Sequence, residues 1–175
     1  MSSFEHLVEI ARQYQTTQSA LPEKTDKQVL WTGIGFNLLG DRFVASMGEV
    51  IEMMPVPQYT KLPGVKNFVT GVANVRGRLM TLIDMTVFFG ERSRVPRVSR
   101  RVLVVDEDGG YFGFIVDESL GMQHFPQDGF SRQTGQVQEQ FRSYLLGSYR
   151  VAGNLWPVIS LHTILADPKL DKLAA

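Results

Sequence analysis

Apolar and polar residues alternate over most of the chain from residue 31 to about 165, in short runs broken by glycine, proline and aspartate. Alternation with a period of two is typical of strands that bury one face. Two segments, 33–53 and 101–122, each predict a pair of strands joined by a tight turn, at Gly40-Asp41 and at the sequence DEDGG. The compact part of the chain is therefore predicted to be mainly β.

The first 30 residues have a different pattern. Apolar residues recur at helical spacing over 4–14, and the stretch 15–28 that follows is polar and contains one proline. This pattern predicts an N-terminal helix and linker over 1–30. A main domain over 31–167 and a C-terminal tail over 168–175 are expected to follow.

The main domain contains two similar halves. Shifting the chain by 69 residues aligns the first hairpin with the second, and a shift of 76 aligns the segments that follow. Matched positions include Phe43 with Phe112 and Gly77 with Gly153. A duplication at this spacing predicts that each copy folds into a small barrel of four or five strands. Two such barrels side by side would leave a groove between them.

Composition argues against several classes of function. The chain has no cysteine, so it has no disulfide, thiolate nucleophile or cysteine-ligated zinc. Eighteen basic residues balance 18 acidic ones, which argues against nucleic-acid binding, and a basic run occurs only at RSRVPRVSRR, residues 92–101. No apolar run is long enough to span a bilayer, and no secretion signal is recognisable. These features predict a soluble, cytoplasmic protein without membrane insertion.

Recognisable catalytic and ligand-binding patterns are also missing. His6, His124 and His162 lack the spacing of a metal site. No nucleophile elbow, phosphate-binding loop or dinucleotide-binding glycine pattern occurs. The sequence therefore predicts a protein that is not an enzyme and has no catalytic residue, metal or cofactor.

The sequence GVANVRGRLM, residues 71–80, contains a charge that the other copy of the repeat lacks. Arg76 aligns with Ala152, so the second copy forms its hairpin without an arginine. Folding alone therefore does not require Arg76. Two interpretations stay open: the arginine belongs to an ordinary solvated turn, or it makes a bidentate hydrogen bond to a partner or to an internal carboxylate. Glu52 and Asp84 are the internal candidates.

The stretch GVANVRGRLMTLIDM, residues 71–85, resembles the signature of the CheW-like domain family, the coupling proteins of bacterial chemotaxis. The family pattern G-V-x-N-x-R-G-x-x-x-x-x-x-D is matched by Gly71, Val72, Asn74, Arg76, Gly77 and Asp84. A second stretch, FGFIVDESLGM over 112–122, resembles the family's G-x-x-V-D motif through Gly113, Val116 and Asp117.

This resemblance implies two SH3-like five-stranded β-barrel subdomains around a shared core, over residues 31–92 with a return of the C-terminal part, and over 100–165. It also implies a non-catalytic adaptor that joins the cytoplasmic tip of a methyl-accepting chemoreceptor to a CheA-type histidine kinase. Several segments resemble the pilus-associated branch of the family, which implies control of type IV pilus twitching motility, with flagellar chemotaxis as the alternative. Such an adaptor would be cytoplasmic and associated with membrane-anchored receptor arrays.

The resemblance also implies which residues contact the receptor. Three positions match the family's receptor groove: Val50 as an apolar contact, and Glu52 and Arg76 as charged contacts. The other motif residues are expected to be structural; they are Gly71, Asn74, Gly77, Asp84, Gly113 and Asp117. Two features depart from the family pattern, a small residue at Gly48 and the extension over 1–30, and they leave the set of partners open.

Overall fold

The structure is a computed structural model that describes residues 29–107 and 110–174. The predicted N-terminal helix and linker, and the tip of the DEDGG turn, lie outside the described residues. Within those residues eleven strands form two sheets, and the helices are short. None of these helices has the length and apolar character needed to cross a membrane. The prediction of a mainly β fold is confirmed.

The strands and helices of the described residues follow one another in short elements. The strands are β1 Leu30–Leu38, β2 Asp41–Ser46, β3 Glu52–Pro55, β4 Val69–Val75, β5 Arg78–Asp84, β6 Arg101–Glu107, β7 Gly110–Val116, β8 Glu118–Pro126, β9 Phe130–Ser131, β10 Leu145–Val151 and β11 Asn154–Ile159. The α-helices are α1 Met85–Phe88, α2 Leu161–Leu165 and α3 Pro168–Asp171. Short 3-10 helices span Arg97–Ser99, Gln127–Gly129 and Glu139–Tyr144.

The two copies of the repeat exchange their first hairpins. In the part of the chain that the structure describes, the first sheet has six strands in the order β8-β1-β2-β11-β10-β9, and the second has five in the order β3-β6-β7-β5-β4. The first copy thus contributes β1 and β2 to a sheet otherwise built from the second copy, and the second copy contributes β6 and β7 in return. Two parallel pairings, β2 with β11 and β5 with β7, join the exchanged hairpins to their sheets. The expectation that each copy forms a barrel of its own is therefore wrong.

The duplication itself is visible in the backbone. Gly71 and Gly147 both have a φ of 155° and both lie beside a register shift in their hairpins. A Cβ at Gly71 would lie 2.3 Å from the carbonyl oxygen of Thr60, and one at Gly147 would lie 2.2 Å from that of Ser131. The backbone of another segment therefore occupies the space of a side chain at both matched positions, which only glycine permits.

The turns of the matched hairpins have the same conformation. Arg76 and Ala152 have φ values of 52° and 51°, and the glycines that follow, Gly77 and Gly153, have 79° and 78°. Positive φ at both central residues is typical of the type I′ turn, whose twist suits a two-residue hairpin. Glycine adopts this conformation freely, whereas a residue with a Cβ is disfavoured there by about 1–2 kcal/mol.

Replacing Ala152 by asparagine is expected to raise the free energy of unfolding by about 0.5–1 kcal/mol, because asparagine adopts the left-handed conformation at lower cost. Urea unfolding of the full chain measures the change. Ala166 has a φ of −81° after α2, so the same substitution there is the matched control and is expected to bring no gain. An A152N variant that is no more stable than wild-type would contradict the assignment of backbone strain to this turn.

Each sheet has two apolar faces. One face of each sheet contributes to a large shared core, which includes Phe36, Phe43, Phe114 and Phe141. The opposite face of the second sheet encloses its own cluster around Met80, which we call the inner cluster of the second sheet. The first sheet has a corresponding cluster, formed by Val44, Phe125, Tyr149 and Val158 with two partly buried tryptophans. This layering confirms two β subdomains around a shared core.

The C-terminal segment packs on the main domain. Leu170 of α3 is buried in the shared core. The backbone amide of Lys66 donates to the carbonyl of Leu173 at 2.8 Å, and Val65 pairs with Ala174. Residues 168–174, which the sequence suggested as a tail, therefore contribute to the fold.

Candidate partner-binding site

Arg76 lies at the tip of the hairpin formed by β4 and β5 and makes a bidentate ion pair with Glu52 of β3. Nη1 and Nη2 of Arg76 donate to the two carboxylate oxygens of Glu52, each at 2.5 Å. The hydrogen bond and the charge of Glu52 raise the pKa of Arg76 above its usual value. The Arg76 side chain is 71% exposed and the Glu52 side chain 23%, so the pair leaves the outer edge of the guanidinium free for a further acceptor.

A second bidentate ion pair lies beside the first. Arg78 of β5 donates to the two carboxylate oxygens of Asp106 of β6 at 2.6 and 3.2 Å. The hydrogen bond from Arg78 lowers the pKa of Asp106. The guanidinium carbon of Arg78 also lies 4.2 Å from the ring centre of Tyr111, which belongs to the inner cluster of the second sheet. The charged residues therefore cover one end of that cluster.

The matching end of the first sheet has no corresponding ion pair. The shift of 69 aligns Glu52 with Gly121, and the shift of 76 aligns Arg76 with Ala152. Both partners are thus replaced by small residues in the other copy, although its hairpin keeps the same turn. The Glu52–Arg76 pair is therefore not a requirement of this hairpin fold.

Val50, predicted as the apolar contact of the site, is only 3% exposed and belongs to the shared core. Its backbone amide donates to the carbonyl of Ser46 at 3.3 Å, in a turn that ends before β3 begins. The alternation of β3 consequently does not extend back to Val50. The exposed apolar side chains beside Glu52 are Ile51 and Met53, and they replace Val50 as candidate apolar contacts.

Asp84, the other internal candidate for Arg76, pairs instead with Arg100. Two nitrogens of Arg100 donate to the Asp84 carboxylate at 2.9 and 2.8 Å. Asp84 also caps α1 by accepting from the backbone amide of Thr86 at 3.0 Å, as Ser160 in the second copy caps α2. Burial opposes ionisation of Asp84, but the hydrogen bonds from Arg100 and Thr86 outweigh it and lower the pKa of the carboxyl.

Asp117 extends this network to the other sheet. Nε of Arg100 lies 3.7 Å from a carboxylate oxygen of Asp117, which also accepts a hydrogen bond from the hydroxyl of Ser93. The second oxygen of Asp117 accepts from the backbone amide of Leu39 at 2.8 Å, in the turn between β1 and β2. Arg100 and its two carboxylates therefore connect the second sheet to the hairpin of β1 and β2 in the first sheet. Sequence reasoning missed Arg100, because it is one of five arginines in a short run.

The remaining motif residues shape the backbone. The side-chain oxygen of Asn74 accepts from the amide of Gly77 at 3.1 Å, within the type I′ hairpin. A Cβ at Gly113 would lie 2.7 Å from a Val102 methyl group and 3.0 Å from the sulfur of Met80. Among the residues that the structure describes, no group of three histidine, aspartate or glutamate side chains is arranged to hold a metal ion.

Replacing Arg76 by alanine is expected to shift the thermal unfolding midpoint by less than about 3 °C, because an exposed ion pair contributes little to stability. Alanine occupies the same turn position in the second copy, so the backbone tolerates it. Differential scanning fluorimetry of the full chain measures the shift. A drop of the size caused by losing a core residue would show that Arg76 mainly supports the fold.

Comparisons with known proteins agree with the motif and the fold. The CheW-like domain family matches residues 32–169. Protein PilI of Pseudomonas aeruginosa is 42% identical over 161 residues, which cover 92% of this chain and 90% of that protein. Chemotaxis protein CheW of Helicobacter pylori is 28% identical over 103 residues, which cover 59% of this chain and 62% of that protein.

A solved structure shows the same fold. The scaffolding protein TtCheW from Thermoanaerobacter tengcongensis superposes with a TM-score of 0.70 at 19% identity, over 84% of this chain and 100% of that one. The two-sheet architecture, the complete motif over 71–85 and the extent of the family match lead to one conclusion. The chain belongs to the CheW-like domain family.

Proposed function

We propose that this protein is a non-catalytic adaptor that couples a methyl-accepting chemoreceptor to a CheA-type histidine kinase in an array controlling type IV pilus twitching motility. The observation that carries the pilus assignment is the 42% identity to Protein PilI over 92% of the chain. The match to a chemotaxis protein CheW is weaker and covers 59% of the chain, so flagellar chemotaxis is the alternative. The adaptor acts in the cytoplasm, at membrane-anchored receptors.

The receptor contact is proposed at the Glu52–Arg76 pair. Glu52 holds the guanidinium through both oxygens, so Arg76 presents its remaining donors in a fixed orientation. Met53 of β3 and Ile51, just before β3, are exposed sequence neighbours of Glu52 and supply apolar area at this edge of the second sheet. An arginine with apolar neighbours is typical of energetically important interface positions.

Coupling follows from thermodynamic linkage between the two partners. An adaptor that binds one receptor state more tightly than the other shifts the receptor equilibrium, and the same differential affinity transmits the receptor state to the bound kinase. Individual contacts in such an array are expected to be modest, because many adaptors act together and multivalency adds to the binding.

Deleting the gene in its native host tests the proposal. Twitching is expected to be lost while swimming is retained, and expression of the wild-type chain is expected to restore twitching. A pull-down with the full chain is expected to recover a histidine kinase and a chemoreceptor. Loss of swimming with intact twitching would assign the protein to flagellar chemotaxis, and normal motility of both kinds would contradict the adaptor role.

A further inference from the structure

The segment between α1 and β6, residues 91–101, concentrates positive charge on the surface; we call it the basic strap. It contains five arginines and one glutamate. Arg100 points inward to its carboxylate partners. The other four have no carboxylate within 4.0 Å among the described residues; they are Arg92, Arg94, Arg97 and Arg101. The strap therefore presents cationic groups that the described part of the fold does not neutralise.

Hydrogen bonds hold the strap in one conformation. The hydroxyl of Ser93 donates to Asp117 and accepts from the backbone amide of Val95 at 3.1 Å. The strap then closes a 3-10 turn over Arg97–Ser99 before Arg100 enters the interior. Because both ends are anchored, the backbone of Arg92 and Arg94 is positioned before any partner binds, which lowers the entropy lost on binding.

Two arginines of the strap are oriented by neutral acceptors. Arg97 donates to the carbonyl of Pro57 at 3.1 Å, and its guanidinium carbon lies 4.9 Å from the ring centre of Tyr59. Arg101 donates to the backbone carbonyl of Val98 at 3.0 Å. A carbonyl oxygen fixes the direction of a guanidinium without cancelling its charge. Both arginines thus keep their charge available to an anionic ligand.

The strap also carries an exposed apolar side chain and borders a cavity. Val98 is 83% exposed. A cavity of about 330 Å³ opens beside Arg92 and Arg94, and its lining also includes Leu39, Glu91 and Asp117. The strap therefore combines cationic groups with an unpartnered apolar contact, which favours a ligand that carries both carboxylates and an apolar side chain.

The basic strap is separate from the Glu52–Arg76 pair. Arg101 begins β6, and Glu52 pairs with Val104, three residues further along the same strand. At about 3.3 Å per residue, Arg101 and the position opposite Glu52 are roughly 10 Å apart. One partner can therefore occupy each surface without competing for the same residues.

We propose that the basic strap docks an acidic segment of a partner protein, with carboxylates on Arg92 and Arg94 and an apolar side chain on Val98. The planar fork of arginine matches a carboxylate through two hydrogen bonds. Outside the strap the chain has 13 basic and 17 acidic residues, so the remaining surface repels an extended polyanion such as a nucleic acid or an anionic bilayer. A short acidic segment needs only the strap. This site is independent of the proposed receptor contact.

Fluorescence anisotropy with the full chain tests the proposal. The probe is a short labelled peptide of glutamates around a central leucine, and its all-glutamine analogue is the ligand control. Replacing Arg92 and Arg94 together by glutamine is expected to raise the Kd for the glutamate peptide at least about tenfold. Arg132 and Arg150 are exposed arginines elsewhere, and their double replacement by glutamine removes the same charge; it is expected to change the Kd less than about twofold.

A further variant places a negative charge within the strap and keeps the arginines intact. Replacing Val98 by aspartate puts a negative charge at the centre of the strap, so binding of the glutamate peptide is expected to be lost at low salt. Because Val98 is exposed, the variant is expected to fold, and its thermal midpoint checks this. Equal losses from the two arginine pairs would overturn the proposal, as would tighter binding of a single-stranded oligonucleotide or phosphatidylglycerol vesicles. Absence of peptide binding at low salt would also overturn it.

Discussion

Replacing Arg100 by alanine is expected to lower the free energy of unfolding by about 3–5 kcal/mol, because it leaves buried carboxylates without their cation. Arg100 is 9% exposed and lies between Asp84 and Asp117, which it holds by a bidentate ion pair and a longer contact. For a chain of this size the loss corresponds to a fall in thermal midpoint of roughly 10 °C. Urea and thermal unfolding of the full chain measure both quantities.

The adjacent arginine provides a matched control. Arg101 donates only to backbone carbonyls, at 3.0 and 2.8 Å, so its replacement by alanine is expected to cost less than about 1 kcal/mol. Replacing Arg100 by leucine together with Asp84 by asparagine removes one buried charge of each sign and is expected to recover part of the loss. If R100A unfolded at the same urea concentration as R101A, the buried network would make no special contribution to stability.

The pH dependence of this loss can also be predicted. The folded state lowers the pKa of Asp84 below its ordinary value of about 4. The ionised carboxyl therefore stabilises the fold fully above that ordinary pKa. That contribution is lost as the pH falls through the lower folded pKa. The difference in stability between wild-type and R100A is therefore expected to be largest at neutral pH and to shrink below about pH 4. A difference that stays constant into acid would contradict the ionic origin of the effect.

Local features of this fold could be predicted from the sequence, whereas the exchange of hairpins could not. The turn at Gly77 and its match at Gly153 depend on residues a few positions apart. Comparison of the two copies makes both turns recognisable in the sequence. The parallel pairing of β2 with β11 joins Val44 to Val158, which are far apart in the chain. Because both copies have the same apolar pattern, β2 fits either copy's last strand equally well by pattern alone. Packing, not pattern, selects the partner.

The candidate site, like the fold, could be predicted from the sequence only in part. Arg76 could be singled out because Ala152 in the second copy acts as an internal reference for what the turn requires. Its pairing with Glu52 rather than Asp84 depends on which end of the second sheet each carboxylate occupies, and that follows from strand order. Val50 was assigned to the receptor groove through the family resemblance, whereas the turn before β3 directs its side chain into the shared core.

Replacing Glu52 by arginine is expected to weaken receptor binding at least about tenfold and to abolish twitching. The substitution removes the carboxylate that orients Arg76 and puts a like charge at the contact distance of the present pair. Microscale thermophoresis with the receptor's cytoplasmic fragment measures the affinity, and a subsurface stab assay measures twitching. Glu139 is an exposed glutamate in a 3-10 segment, so E139R makes the same charge change at another site and is expected to retain both activities.

Exchanging the two charges separates orientation from recognition. In the double variant with Glu52→Arg and Arg76→Glu the ion pair can form again. The thermal unfolding midpoint of this variant is therefore expected to be close to that of the wild-type protein. The exposed member of the pair is then a carboxylate instead of a guanidinium. If the receptor recognises the free edge of Arg76, the double variant stays as defective as the single one, because its exposed charge has the opposite sign. Recovery of binding in the double variant would instead show that the pair matters only as a structural link between β3 and the hairpin, and the receptor contact proposed at Arg76 would be wrong.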